Sequence, residues 1–283
     1  MYKITLAFRY LLRRRITYFA VLAVAMCVFI VLVVMTVMAG LVNDFKEKNH
    51  LFAGDCVVAT ESLVGFSYYE EFMETLEKQI FVEALSPAVK SYGLIGPRGS
   101  DSKVGVEIMG IDPVMHSKAT GFGQTLYYHK EDVSKAFEPA YDPNLIGCVL
   151  GKDLLYQRDV HGAYTDQASP GQMGYSLSCF PLTPKGATAD AGTDMVNTKT
   201  FYHSDDSLSG LARVDGSMLY LPFEWAQKLC GMTNPNRANA IHIKFKPNVR
   251  LQDGCEKVAA LWQDFRKEKS GDKRAYLLDT VTV

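Results

Sequence analysis

ITYFAVLAVAMCVFIVLVVMTVMAGLV, running from Ile16 to Val42, contains no charged residue. A helix needs about 20 apolar residues to cross a hydrocarbon core about 30 Å thick. At about 1.5 Å per residue, this run as one helix reaches roughly 40 Å. It predicts a single membrane helix, because nothing later in the chain resembles it. A cleaved signal peptide also opens on a basic region, but its apolar core is only about 7 to 15 residues. This run is longer, and Thr36, Met38, Ala39 and Gly40 offer a poor small-residue cleavage site.

The flanks set an orientation. Lys3, Arg9, Arg13, Arg14 and Arg15 precede the run with no acidic residue among them, whereas Asp44 and Glu47 follow it among Lys46 and Lys48. Basic residues are retained on the cytoplasmic side. The N-terminus is therefore expected in the cytoplasm and the residues after Val42 outside the plasma (inner) membrane, in the periplasm of a two-membrane bacterium. Within residues 1–15, Leu6, Tyr10 and Leu11 fall near one another at helical spacing, with Arg9 and Arg13 four apart. That suits an amphipathic segment whose Arg9, Arg13, Arg14 and Arg15 lie at the membrane interface near lipid phosphates. An ordinary basic flank fits equally well.

The formal net charge is −1. The first 42 residues carry five basic groups and no acidic ones, so about −6 falls on the remaining 241. Such a balance argues against nucleic acid, whose phosphates would be repelled. Of six cysteines, Cys27 lies in the apolar run, and Cys56, Cys148, Cys179, Cys230 and Cys255 lie beyond it. No CxxC occurs, and five is odd, so at least one thiol stays unpaired within the chain. Buried free thiols are the expectation.

Beyond the membrane, Asn43 to His50 suit a helical stalk and CVVAT at 56–60 a first strand. Ser67, three residues before Glu70, has capping-box spacing, and Phe72, Leu76 and Ile80 then form one apolar stripe. FVEALSPAVKSYGLIG is strand material interrupted by Pro87. VGVEIMGIDP at 104–113 alternates and ends in a turn. The stretch from about 114 to 143 lacks periodicity; its GFGQ is not a dinucleotide fingerprint. LIGCVLGKDLLYQ predicts a strand, a turn at Gly151 and a short helix. Residues 162 to 198 predict a long hairpin or loop with SLSCFPL as a strand, with disorder an equal alternative for 183 to 197.

SMLYLP at 217–222 predicts a strand, Pro222 opens the helix FEWAQKL, and Gly231 closes it. In AIHIKFK at 240–246, Ile241, Ile243 and Phe245 are expected in the core, and His242, Lys244 and Lys246 in water. Asp253 is a candidate cap for a last helix bearing Val258, Leu261, Trp262 and Phe265. The expected fold is α+β, helices on mixed sheet, with two lobes.

The chain carries little chemistry. None of the six histidines has the i, i+4 spacing of a helical metal site. The densest group, His203, Asp205 and Asp206, is expected to be a solvated turn after a strand. There is no GxSxG elbow and no GxxxxGK[ST] loop. Glu70 and Glu71 suit the first turn of a helix. No catalytic, cofactor-binding or metal-ligating residue is assigned, and no enzyme activity is expected.

LAFRYLLRRR before the apolar run, GIDP at 110–113, LIGCVLGKDLL, DGSMLYLPFEWAQKLCGM at 215–232 and AIHIKFKPN occur in that order over nearly the whole chain. Together they resemble the FtsX/MacB-type ABC transporter permeases, and within them the lipoprotein-releasing permeases. The resemblance implies a cytoplasmic segment at 1–15, a transmembrane helix at 16–42 and a periplasmic MacB-like core domain at 43–283. It also implies ATP bound by a separate cytosolic ATP-binding subunit, a second permease subunit or a homodimer partner, and export of lipoproteins, peptides or drugs. The family has three further membrane helices after that domain. The sequence reaches Val283 without them, so a truncated or split permease is the expectation. A single-pass anchored binding or sensor domain is the main alternative, and an anchored enzyme the weaker one.

Overall fold

The computed structural model describes residues 15–156, 159, 161, 163–164, 173–186 and 196–283. The described chain divides between Glu47 and Lys48 into two units.

The first is formed by helix α1 (Arg15–Ala53), which continues past Val42 as one element and whose last turns belong to the second unit. From Ile16 to Val42 every residue but Thr17 is exposed. Among the described residues this is the one helix long and apolar enough to cross a membrane, and none of its apolar window is buried.

The second unit begins with β1 (Cys56–Thr60), β2 (Phe66–Ser67) and α2 (Tyr69–Glu77), then the long β3 (Val82–Pro97) and β4 (Val104–Ile111). Next come α3 (Pro113–Ala119), α4 (Phe122–Thr125), β5 (Gly147–Gly151), α5 (Lys152–Leu155), β6 (Gly174–Cys179) and β7 (Asn197–Ser207). After α6 (Ala212–Ser217) come β8 (Met218–Pro222), α7 (Phe223–Leu229), β9 (Arg237–Ala238), β10 (Ala240–Phe245), α8 (Leu251–Lys269) and β11 (Val281–Thr282). Nine strands form one mixed sheet in the order β11-β1-β10-β3-β4-β8-β5-β7-β6, and β6 pairs back onto β3. The fold is α+β.

Strand β3 is shared by two lobes. On one edge it pairs with β4 from Ala88 to Ile95. On the opposite edge it pairs first with β10, from Val82 to Ala88, and then with β6, from Gly93 to Pro97. The second pairing closes β3-β4-β8-β5-β7-β6 into a ring. Successive strand side chains point to opposite faces, and the cores follow that rule. Val106, Ile108, Cys148, Leu150, Leu219 and Leu221 fill the ring with Ala226 and Leu229 of α7. Their strand neighbours Met109, Ile111, Val149, Met218 and Tyr220 form a second core with Phe122. In the other lobe, α2 and α8 cover β1 and β10, with Trp262 edge-on to Phe66 and Phe72 at centroid distances of 5.6 and 4.8 Å.

Several expectations need correction. Ser67 makes no capping box: it lies in β2, and Tyr68, at φ 64°, precedes α2 without a side-chain cap. Ile80 lies beyond that helix and is exposed. Pro87 does not interrupt β3, because pairing with β4 begins only at Ala88 and no ladder bond on that edge is lost. Asp253 does not cap α8, which starts at Leu251. CVVAT and FEWAQKL fall where the sequence pattern puts them, to the residue, whereas α3, α4, α6, β9 and β11 form in stretches the pattern left unassigned, and β6 ends at Cys179, short of Phe180 to Leu182.

Candidate functional site

The GIDP segment, residues 110–113, organises the region around the end of α1. Gly110 ends the ring-facing series of β4, and a Cβ there would collide with the Ala226 side chain of α7. Only hydrogen fits between strand and helix. Asp112 then caps α3, its Oδ1 accepting from the Met115 amide at 2.8 Å, with Pro113 in the first turn.

Helix α3 and the residues after it grip the last turns of α1. The Gly121 amide donates to the Leu51 carbonyl at 2.6 Å, and the Gly54 amide donates to the His50 carbonyl at 2.8 Å. Gly54 itself has φ +81°, and a Cβ there would lie 2.8 Å from the Ala119 carbonyl oxygen and 3.2 Å from that of Ile243. A turn this tight in left-handed backbone suits glycine alone. Asp55 finishes the joint: Oδ2 accepts from the Phe245 amide at 2.6 Å, and Oδ1 lies 2.6 Å from His50 Nε2. A cavity of about 160 Å³ remains beside the joint, lined by Lys48, Leu51, Phe52, His116, Phe122 and Tyr220 among others.

Two buried histidines complete it. His242 was expected in water; it is 1% exposed. The reason is that β10 is an interior strand, and the face carrying His242 is covered by α3 and by the end of α1. Its Nδ1 lies 2.8 Å from the Ala53 carbonyl, which can only accept, so Nδ1 carries the proton. Nε2 is buried without a partner. His116 meets it edge-on at a centroid distance of 5.0 Å. Burial, then the nearby Lys90 charge, push the His242 pKa down to about 4, against the Ala53 hydrogen bond. Burial and the neighbouring His242 and Lys90 push His116 well down too. Both rings are neutral at ordinary pH.

The His203, Asp205 and Asp206 group is also corrected: it is no solvated turn but the buried end of β7. Asp205 accepts from the amides of Tyr127, Tyr128 and His129 at 3.0, 2.9 and 2.8 Å, and from the Asp206 amide at 2.7 Å. His129 Nδ1 lies 3.1 Å from the same carboxylate. His203 Nε2 and Asp206 Oδ1 are 2.8 Å apart, while His203 Nδ1 has no partner. This is a clasp for the 127–129 turn, with no nucleophile on the free ring nitrogen. Among the described residues no cluster of three or more His, Cys, Asp or Glu is arranged to hold a metal. Glu70 and Glu71 sit in the first turn of α2 as expected.

Of the arginines expected at the membrane interface, Arg9, Arg13 and Arg14 lie outside the described residues. Arg15 is the first residue of α1, and its side chain also lies outside the description.

No family model matches the sequence, and no curated protein matches it. Among solved structures, the chain is similar to the periplasmic region of MacB from Actinobacillus actinomycetemcomitans, with TM-score 0.42, 13% identity, and coverage of 75% of this chain and 85% of that one. It is similar to the extracellular domain of the noncanonic ABC-type transporter YknZ from Gram-positive bacteria, with TM-score 0.43, 12% identity, and coverage of 77% and 95%. It is also similar to a permease-protein domain from Porphyromonas gingivalis, with TM-score 0.40, 14% identity, and coverage of 75% and 82%. At these identities and TM-scores the chain resembles those domains without being placed among them.

Proposed function

We propose that this chain is a permease component of an ABC transporter. Its apolar helix crosses the plasma membrane with the N-terminus in the cytoplasm, and its α+β domain lies outside. The observation that supports the membrane part of the reading is α1, a helix from Arg15 to Ala53 whose apolar stretch buries nothing; the permease part rests on the order of motifs from LAFRYLLRRR to AIHIKFKPN. Apolar surface on that scale needs lipid around it. A cytosolic ATP-binding subunit would supply the driving force, and a second permease subunit or a second copy would complete the assembly. The domain's task is mechanical: displacement of α1 is passed through α3 and β10 to the two lobes. Lipoproteins, peptides or drugs leaving from the extracytoplasmic side are the substrate classes the sequence resemblance implies.

The test is affinity purification from solubilised membranes, with mass spectrometry of what comes along. Recovery of an ATP-binding subunit or a polytopic permease partner supports the reading. Purification with neither turns it toward an anchored binding or sensor domain.

A further inference from the structure

The sulfur atoms of Cys179 and Cys230 lie 3.7 Å apart in the core of the six-strand ring, 51 residues apart in sequence, and both are free thiols. Cys179 ends β6; Cys230 follows the last residue of α7. The backbones run beside each other there: the Leu182 amide donates to the Cys230 carbonyl at 3.3 Å, and a Cβ on Gly231 would lie 3.1 Å from the Pro181 side chain. A disulfide has sulfurs about 2.05 Å apart, a gap that rotation of two side chains on neighbouring backbones can close.

We propose that Cys179 and Cys230 are a dithiol/disulfide site that fastens β6 to the end of α7. Closure proceeds by thiol–disulfide exchange with a disulfide oxidant. One protein thiolate, its proton released to water, attacks a sulfur of the oxidant and displaces the first thiolate. The second protein thiolate then attacks the mixed disulfide and displaces the other. Both cysteines are oxidised, and the oxidant is reduced to two thiols. Both cysteines are almost completely buried, so exchange takes place while the end of β6 is undocked, during folding or local opening, and the closed bond is then shielded.

Other features agree. The Ser91 hydroxyl lies 3.6 Å from Cys179 Sγ. In the docked state the hydrogen bond from Cys230, then that from Ser91, bring the Cys179 thiol down to about 7 against the effect of burial. The consequence is specific to the fold. β6 is the strand that pairs back onto β3 to close the ring, with Cys179 itself opposite Gly93, and the bond would fasten that closure to the end of α7. Oxidising conditions are those of the extracytoplasmic side, so formation in the cell rests on the proposed location.

The test uses the full chain purified from membranes, with free thiols alkylated at lysis, and peptide mapping without reductant. A second portion is reduced, incubated folded in oxidised glutathione, and mapped in the same way. The expected result is a linked peptide pair holding Cys179 and Cys230, resistant to alkylation until reduced. Cys230→Ala should leave Cys179 as a glutathione adduct, and Cys148→Ala should leave the link intact. Complete alkylation of both after the glutathione incubation overturns the proposal, as does linkage of either to another cysteine. A link formed in glutathione but absent from the cell-derived portion supports the pair and counts against the extracytoplasmic location. A protease-accessibility assay on spheroplasts reads that location independently.

Discussion

Acidification should unfold the lobe that holds His242 before carboxylate titration alone would do so. In the native chain the His242 pKa sits near 4, against an ordinary value of 6.5, because the ring is buried beside Lys90. Between those values the unfolded chain binds a proton that the folded chain refuses, so stability rises with pH there. The full contribution is present above pH 6.5 and is lost as pH falls toward 4. A shift of about 2.5 units corresponds to about 3 kcal/mol, a large part of an ordinary domain's margin. His116, whose pKa is also lowered, adds loss of the same sign. Urea unfolding of the detergent-solubilised chain in a Trp225→Phe background, followed by fluorescence of the buried Trp262 in the same lobe, reads the effect. The wild type should lose about 3 kcal/mol more than His242→Gln between pH 7 and pH 4. Parallel pH profiles for the two would mean that His242 is solvated or already charged at neutral pH, and the description of the joint would fall with it.

Gly110→Val should lower the melting temperature without altering membrane association, since its side chain overpacks against Ala226; the expected cost is about 1–3 kcal/mol, read by thermal unfolding. Asp205→Ala strips the acceptor from the amides of 127–129 and should cost at least about 3 kcal/mol, with faster hydrogen exchange over that turn as the local signature. Reversing the charges of Arg13, Arg14 and Arg15 should disturb insertion or orientation; an unchanged protease-accessibility pattern would count against the topology argued from the flanks.

The elements most legible in the sequence are those bounded by local chemistry. Pro222 and Gly231 bracket α7, and Gly151 marks the turn from β5 into α5, because these residues fix the backbone wherever the chain goes. What alternation does not reveal is whether a strand's second face is covered. His242 occupies a polar slot in AIHIKFK, yet it is buried, because β4 delivers α3 onto that face from a distant part of the sequence. Asp205 looks like part of a surface turn for the same reason: its partners are amides 76 to 78 residues away. GIDP was visible as a motif, but the need for its glycine appears only once Ala226 is placed against it.

The two lobes share β3, so relative motion between them has to pass through that strand. Its edge facing β10 and β6 has a gap in strand pairing: β10 stops at Ala88 and β6 begins at Gly93. Asn239 fills part of the gap. Its Oδ1 accepts from the Lys90 amide at 2.8 Å, and its Nδ2 donates to the Ser62 carbonyl at 2.9 Å. A single buried amide side chain thus stands where ladder bonds are missing, and the four residues from Val89 to Tyr92 are the place where β3 can twist with least loss of pairing. Asn239→Ala would leave a buried N–H and a carbonyl without these partners, at about 1–3 kcal/mol each, and the loss should appear locally before it appears globally. Hydrogen exchange measured by mass spectrometry should quicken over the peptide spanning Val89–Tyr92 while peptides from α8 keep wild-type protection. Uniform acceleration across both lobes would show that β3 transmits strain as a rigid rod, and that shear within the strand is not how the lobes move.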